Sequence, residues 1–125
     1  MNQICQLMNI EYPILQGAMA RIADSTLAGA VSEGGGLGII ASGGESAEWL
    51  EQEIDRIRQI THRPFGVNLM LLSPNLEELV DVVCKKRVPI VTTGAGNPGK
   101  YIERLKENGI LVFPVVASVA VALRV

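Results

Sequence analysis

Small residues gather where they would let a ligand approach the backbone: Gly17-Ala18-Met19-Ala20, Gly43-Gly44 and the longer run Gly94-Ala95-Gly96-Asn97-Pro98-Gly99-Lys100-Tyr101. The last satisfies two phosphate-binding patterns, G-x-G-x-x-G and most of G-x-x-x-x-G-K-[ST], and each fails on a specific point. A Walker loop needs a hydroxyl beside magnesium, and Tyr101 places its phenol oxygen at the far end of a rigid ring. A dinucleotide fold needs an acid at the end of the next strand to hold the ribose, and the stretch from Pro114 to Ala120 has neither Asp nor Glu. The pattern therefore predicts a site-facing loop rather than a self-sufficient nucleotide cradle. Gly17–Ala20 reads equally as a ligand-contacting turn or as an ordinary strand-to-helix connection, because Gly and Ala are common in both.

Asn68 interrupts an apolar run, Phe65-Gly66-Val67-Asn68. A buried amide needs partners, so it bonds either neighbouring backbone or the polar edge of a ligand. His62, the single histidine, sits in Thr61-His62-Arg63-Pro64 between a helical and an extended segment, and is expected to be a solvated loop residue. Glu51, Glu53, Asp55, Glu77, Glu78 and Asp81 fall on helical segments that also need a wet face. No paired-carboxylate, Ser-His-Asp or zinc pattern is present, and no catalytic residue is assigned within the chain.

These residues are carried by alternating elements. Five apolar runs read as strands: Tyr12–Gln16, Gly38–Ala41, Phe65–Met70, Pro89–Thr93 and Ile110–Val116. Between them, Ser25–Glu33, Glu45–Ile60, Leu76–Lys86 and Lys100–Asn108 show apolar positions three or four apart, as Leu50, Ile54, Ile57 and Ile60 do. Asp24 and Ser46 are placed to cap helix starts, and Gly34 and Gly109 to end helices in the left-handed conformation. Strand–helix alternation predicts a parallel sheet, with ligand loops at the carboxyl ends of the strands. Gly34-Gly35-Gly36 falls on the opposite face and is expected to be a tight, closely packed turn. Periodicity leaves a doubly wound sheet and a closed barrel both open.

With 125 residues, 48% of them hydrophobic and 19% charged, the chain has the composition of one globular domain or part of one. A net charge of −2 with scattered Lys and Arg argues against nucleic acid. No run approaches the roughly 18 apolar residues of a membrane span. Cys5 and Cys84 lack ligand spacing and read as reduced thiols, so the expected location is the cytoplasm.

Four segments in order, Tyr12-Pro13-Ile14-Leu15-Gln16-Gly17-Ala18-Met19-Ala20, Gly35-Gly36-Leu37-Gly38-Ile39-Ile40, Pro64-Phe65-Gly66-Val67-Asn68-Leu69-Met70 and Val91-Thr92-Thr93-Gly94-Ala95-Gly96-Asn97-Pro98, closely resemble the FMN-dependent enoyl-acyl-carrier-protein reductases of bacterial fatty-acid synthesis. The wider group includes nitronate monooxygenases. The resemblance runs over essentially the whole chain. It implies an α/β fold that is the N-terminal part of a (β/α)₈ TIM barrel, here about five parallel strands with four helices in one partial domain, residues 1–125. It further implies an oxidoreductase with FMN as cofactor and NAD(P)H as reductant, acting on an enoyl substrate bound to acyl-carrier protein. Gly17, Ala18 and Met19 would lie against the flavin, Asn68 near it, and Thr93 and Gly94 along the site wall. A full barrel has about 250 residues. The family's phosphate loops and catalytic histidine belong to the second half, so this chain alone is expected to be inactive. Open strand edges imply assembly with a second copy, as a homo-oligomer, or with a complementary half, and a non-catalytic half barrel acting through such assembly is the alternative reading.

Overall fold

The computed structural model describes residues 2–125. After α1 (Gln3–Met8) the elements run α2 (Ser25–Glu33), β1 (Gly38–Ala41), α3 (Ala47–Ile60), β2 (Phe65–Met70), α4 (Leu76–Lys85), β3 (Ile90–Gly94), α5 (Gly99–Glu107), β4 (Leu111–Pro114) and α6 (Val119–Ala122). The four strands are parallel and adjacent in chain order, β1-β2-β3-β4. This sequential order decides the architecture. A doubly wound sheet reverses direction and places helices on both faces, whereas identical successive crossovers leave every crossover helix on one face, as in a barrel wall.

The two faces separate cleanly by strand alternation. On the helix side, Ile40, Val67, Leu69 and Val91 join Ala28 of α2, Leu50, Ile54 and Ile57 of α3, Leu79 and Val83 of α4, and Leu105 of α5 in one core. Leu50, Ile54 and Ile57 are completely buried, each contributing about 1.5–3 kcal/mol by leaving water. On the interior side Met8, Leu37, Ile39 and Ile90 form a smaller cluster with Ile10, Leu111 and Phe113. Here α1 covers the amino-terminal end of the sheet.

Expected helix starts hold at atomic detail: the Asp24 carboxylate accepts from Leu27 N at 3.0 Å and the Ser46 hydroxyl from Trp49 N at 3.1 Å. Gly109 takes the left-handed conformation (φ 75°), but Gly34 stays right-handed (φ −73°) and Gly35 turns instead (φ 104°). The Gly35 carbonyl then accepts from both Glu11 N and Tyr12 N at 2.9 Å, which sets the reversal one residue later. Glu51 and Asp55 of α3 pair with Lys85 and Lys86 at the end of α4, while Glu77 and Asp81 of α4 pair with Lys100 and Arg104 of α5. The acids expected to keep the helices wet therefore also lace neighbouring helices together.

The first expected strand, Tyr12–Gln16, shrinks to a single parallel bridge between Leu15 and Leu37. Leu37 N donates to Ile14 O at 2.8 Å and Gln16 N to Leu37 O at 2.9 Å. Beyond that the Gln16 side chain takes over: its Oε1 accepts from Ile39 N at 3.1 Å and its Nε2 donates to Ile39 O at 3.2 Å. The carboxamide occupies the hydrogen-bonding place of the next strand peptide, so the backbone is free to leave the sheet at Gly17. The fifth expected strand is also shorter, at Leu111–Pro114, although Val115 N still donates to Thr93 O at 2.8 Å just beyond it.

Candidate functional site

Three strand ends and the loops beside them enclose a cleft of about 490 Å³ at the carboxyl ends of the strands. Strand register builds its floor. Ala41, Asn68, Thr92 and Phe113 form one cross-strand row, and Met70 pairs with Gly94 in the row above. Ala18, Ala20 and Arg21 come from the loop released after Gln16, and Gly43 and Gly44 from the loop after β1. Most of these side chains are small. A Cβ built on Gly94, or on Gly17 next to Ala18, would meet nothing within 4 Å, so the missing side chains leave open space rather than relieve a clash.

Asn68 is the polar centre. Its Oδ1 accepts from the Thr92 hydroxyl at 2.8 Å, and its backbone carbonyl accepts from the Ser42 hydroxyl at 2.6 Å. Thr92 thereby anchors one end of the amide, and its Nδ2 has no hydrogen-bond partner among the described residues. A half-buried donor left free over a floor of small residues is suited to a ligand carbonyl or ring nitrogen. Arg21 is the one cation among the lining residues, which include no acid. It holds a left-handed backbone (φ 67°), a conformation uncommon for a residue with a side chain.

Of the six residues expected at a ligand, Ala18, Asn68 and Gly94 line this cleft together, while Gly17 and Met19 flank Ala18 without lining it. Thr93 lies elsewhere. Alternation along β3 sends its side chain to the helix side, 1% exposed, where Oγ1 has no partner; Thr92 takes the interior position instead. Arg21 was not marked by any sequence motif, and the signal for Thr92 was present only as the two-residue period of the strand. Gly94–Tyr101 does not form a phosphate cradle: Lys100 Nζ and the Tyr101 hydroxyl both bond Glu77 Oε1, at 3.1 and 2.8 Å. These two partners hold the Glu77 carboxyl below its ordinary pKa, Tyr101 more than Lys100. His62 is exposed at the opposite end of the sheet, as expected. Both cysteines are buried and free, and burial pushes the Cys84 thiol up, away from reactivity. Among the described residues there is no cluster of metal-ligating side chains, and no helix is long and apolar enough to cross a membrane.

Residues 2–79, which contain the Gly17–Arg21 loop, β1 and β2, match the family model for nitronate monooxygenase. The chain belongs to the nitronate monooxygenase family. A probable nitronate monooxygenase of Staphylococcus aureus (strain JH9) is 34% identical across 98% of this chain and 44% of that protein. FabK from Thermotoga maritima superposes with a TM-score of 0.96 at 52% identity, over 98% of this chain and 39% of FabK. Nitroalkane oxidase from Streptomyces ansochromogenes superposes with a TM-score of 0.83 at 29% identity, over 92% of this chain and 42% of that one. The chain thus spans about two fifths of the length of these relatives, and its sheet is part of a TIM barrel.

Members of this family of oxidoreductases are flavoproteins. The cleft suits such a group: Ala18, Ala41, Gly43 and Gly94 let a flat ring lie close to backbone, and Asn68 Nδ2 offers a donor to its polar edge. The glycine-rich loop whose pattern resembles a phosphate motif turns its lysine toward Glu77 instead of toward this cleft.

Proposed function

We propose that this chain forms the ring-binding half of an FMN site in an enoyl-acyl-carrier-protein reductase, with NAD(P)H as reductant. The carrying observation is the oriented, unpartnered Asn68 amide beside a floor of glycine and alanine. The likeness to FabK, an FMN-dependent enoyl-acyl-carrier-protein reductase, supports the choice of substrate. When bound, the flavin would supply hydride transfer from NAD(P)H to the β-carbon of an enoyl thioester. The chain's own part is to bind and orient: Asn68 fixes one edge of the ring, the small residues admit it, and Arg21 offers a cation to an anionic group at the rim.

A second substrate class, alkyl nitronates, is favoured by the family model and the staphylococcal relatives. Reoxidation of the reduced flavin in a full-length version separates the two. Consumption of crotonyl thioester but not nitronate supports the reductase, and the reverse result overturns it. The 125-residue chain alone is proposed to show little yellow colour and negligible NADH-dependent thioester reduction, because the phosphate has no anchor here. Strong activity of the isolated chain would refute that division of labour. Self-association through the open sheet edges belongs to the same proposal, and a folded monomer on gel filtration would contradict it.

A further inference from the structure

The amino-terminal end of the sheet holds a second concavity, of about 530 Å³, bounded by the loops entering β2 and β3 and by the end of α1. Its lining contains Arg58, His62, Arg63 and Arg87 and no carboxylate. Two of these cations are held in place from behind. The Arg58 guanidinium lies 5.6 Å from the centre of the Phe65 ring and donates to the Arg87 carbonyl at 3.3 Å. Arg63 Nη1 is braced by Glu11 Oε2 at 3.3 Å, and Arg63 N donates to the Thr61 hydroxyl at 3.1 Å.

The Arg87 guanidinium and the His62 ring have no hydrogen-bond or ion-pair partner among the described residues. Their freedom contrasts with the helix-side cations Arg56, Lys85, Lys86, Lys100 and Arg104, each engaged by a carboxylate. Arg87 also has a left-handed backbone (φ 50°) just after α4, a place that glycine commonly fills. Of the three arginines at this concave surface, Arg63 alone has a carboxylate partner, Glu11, and Arg58 and Arg87 have none among the described residues.

We propose that this cleft binds a phosphate-bearing small molecule through Arg58, Arg63 and Arg87, independently of the flavin cleft at the other end of the strands. Guanidinium groups present paired donors that match phosphate oxygens, and three arginines line this one cleft. Extended nucleic acid does not fit, because the chain carries a net charge of −2 and the one aromatic ring of the lining, Phe65, is 3% exposed and unavailable for stacking. On the end of the fold that governs stability rather than chemistry, occupancy acts by favouring the folded chain.

Calorimetric titration with pyrophosphate and with ADP, at constant ionic strength, tests this. Saturable binding is expected for at least one of them, with Arg63→Gln and Arg87→Gln each weakening it about fivefold or more, and Lys106→Gln leaving it unchanged. ADP binding tighter than pyrophosphate would identify a nucleotide; equal affinities would identify recognition of the phosphate alone. The perturbed backbone amides should be those of His62, Arg63 and Arg87. FMN affinity should not change in the two arginine variants, whatever the outcome of the reductase assay. No saturable binding, unchanged affinity in Arg87→Gln, or perturbed amides at Gly17–Ala20 and Gly94 instead would overturn the proposal.

Discussion

Glycines at the two ends of this sheet do opposite work. At the amino end they permit contact: a Cβ on Gly38 would stand 1.8 Å from the carbonyl oxygen of Ala28, and one on Gly36 would stand 2.8 Å from the carbonyl oxygen of Ile14. Helix α2 rests directly on β1 because Gly38 has no side chain. At the carboxyl end, Gly17, Gly44 and Gly94 face nothing within 4 Å. The same residue type thus marks closed packing at Gly36 and Gly38 and open space at Gly17 and Gly94. Counting glycines in a loop does not tell these apart; asking what a methyl group would hit does.

The largest effect expected from this contrast is that of Gly38→Ala. Backbone must move to admit the methyl, at a cost of about 3 kcal/mol or more. The variant should be insoluble or melt roughly 10 °C lower or more. A change of only a few degrees would show that α2 does not sit on β1 as described. Gly94→Ala should behave in the opposite sense. Its backbone is not left-handed, so the fold should gain about 0.4–1 kcal/mol, while FMN affinity of the full-length form falls about tenfold or more as the methyl enters the cleft. Unchanged flavin affinity would remove Gly94 from the site.

Asn68→Leu tests the polar centre between these extremes. Losing the oriented donor should weaken flavin binding about tenfold, and Thr92 loses its acceptor, with about 1 kcal/mol of stability lost. Fluorescence titration of FMN separates this from Thr92→Val, which keeps the donor but frees its orientation and should weaken binding less. The smallest effect belongs to the helix lacing. Glu51 is held below its ordinary pKa first by Lys85, and Glu77 first by Tyr101 and then Lys100. Groups depressed in this way stabilise the fold above the unfolded value, 4.5 for Glu, and lose that contribution as pH falls through the lower folded value. Melting temperature should therefore drop below about pH 4.5, less steeply in Glu77→Gln and in high salt. An identical acid profile in the variant would show that the lacing is inert.

The sequence carried the strand–helix alternation, the caps at Asp24 and Ser46, and the functional end of the sheet, because each depends on local chemistry or on a short period. Barrel-type winding was beyond periodicity; it required strand order, which is a property of pairing partners. The resemblance motifs pointed to loops that share one cleft, yet a motif names consecutive residues whereas a strand turns only every second one to the same face. That is why Thr92 faces the cleft and Thr93 does not. Arg21 escaped notice because its distinction is a backbone angle, invisible in residue type. The Gly94–Tyr101 pattern already fails as a phosphate motif in the sequence, on Tyr101 and the missing acid, and the structure adds a tertiary reason: Glu77, on another helix, holds both Lys100 and Tyr101.

Gln16 gives the cleft walls unequal permanence. Up to Leu15 the chain is tied to β1 by main-chain bonds, but above it the tie to Ile39 is a side chain, which a change of rotamer releases. The loop bearing Ala18, Ala20 and Arg21 is tied back to β1 at its far end, where Ala41 N donates to Ala23 O at 2.9 Å. That wall of the cleft is thus held by a carboxamide at one end and a main-chain bond at the other, whereas the walls from β2 and β3 belong to the ladder itself.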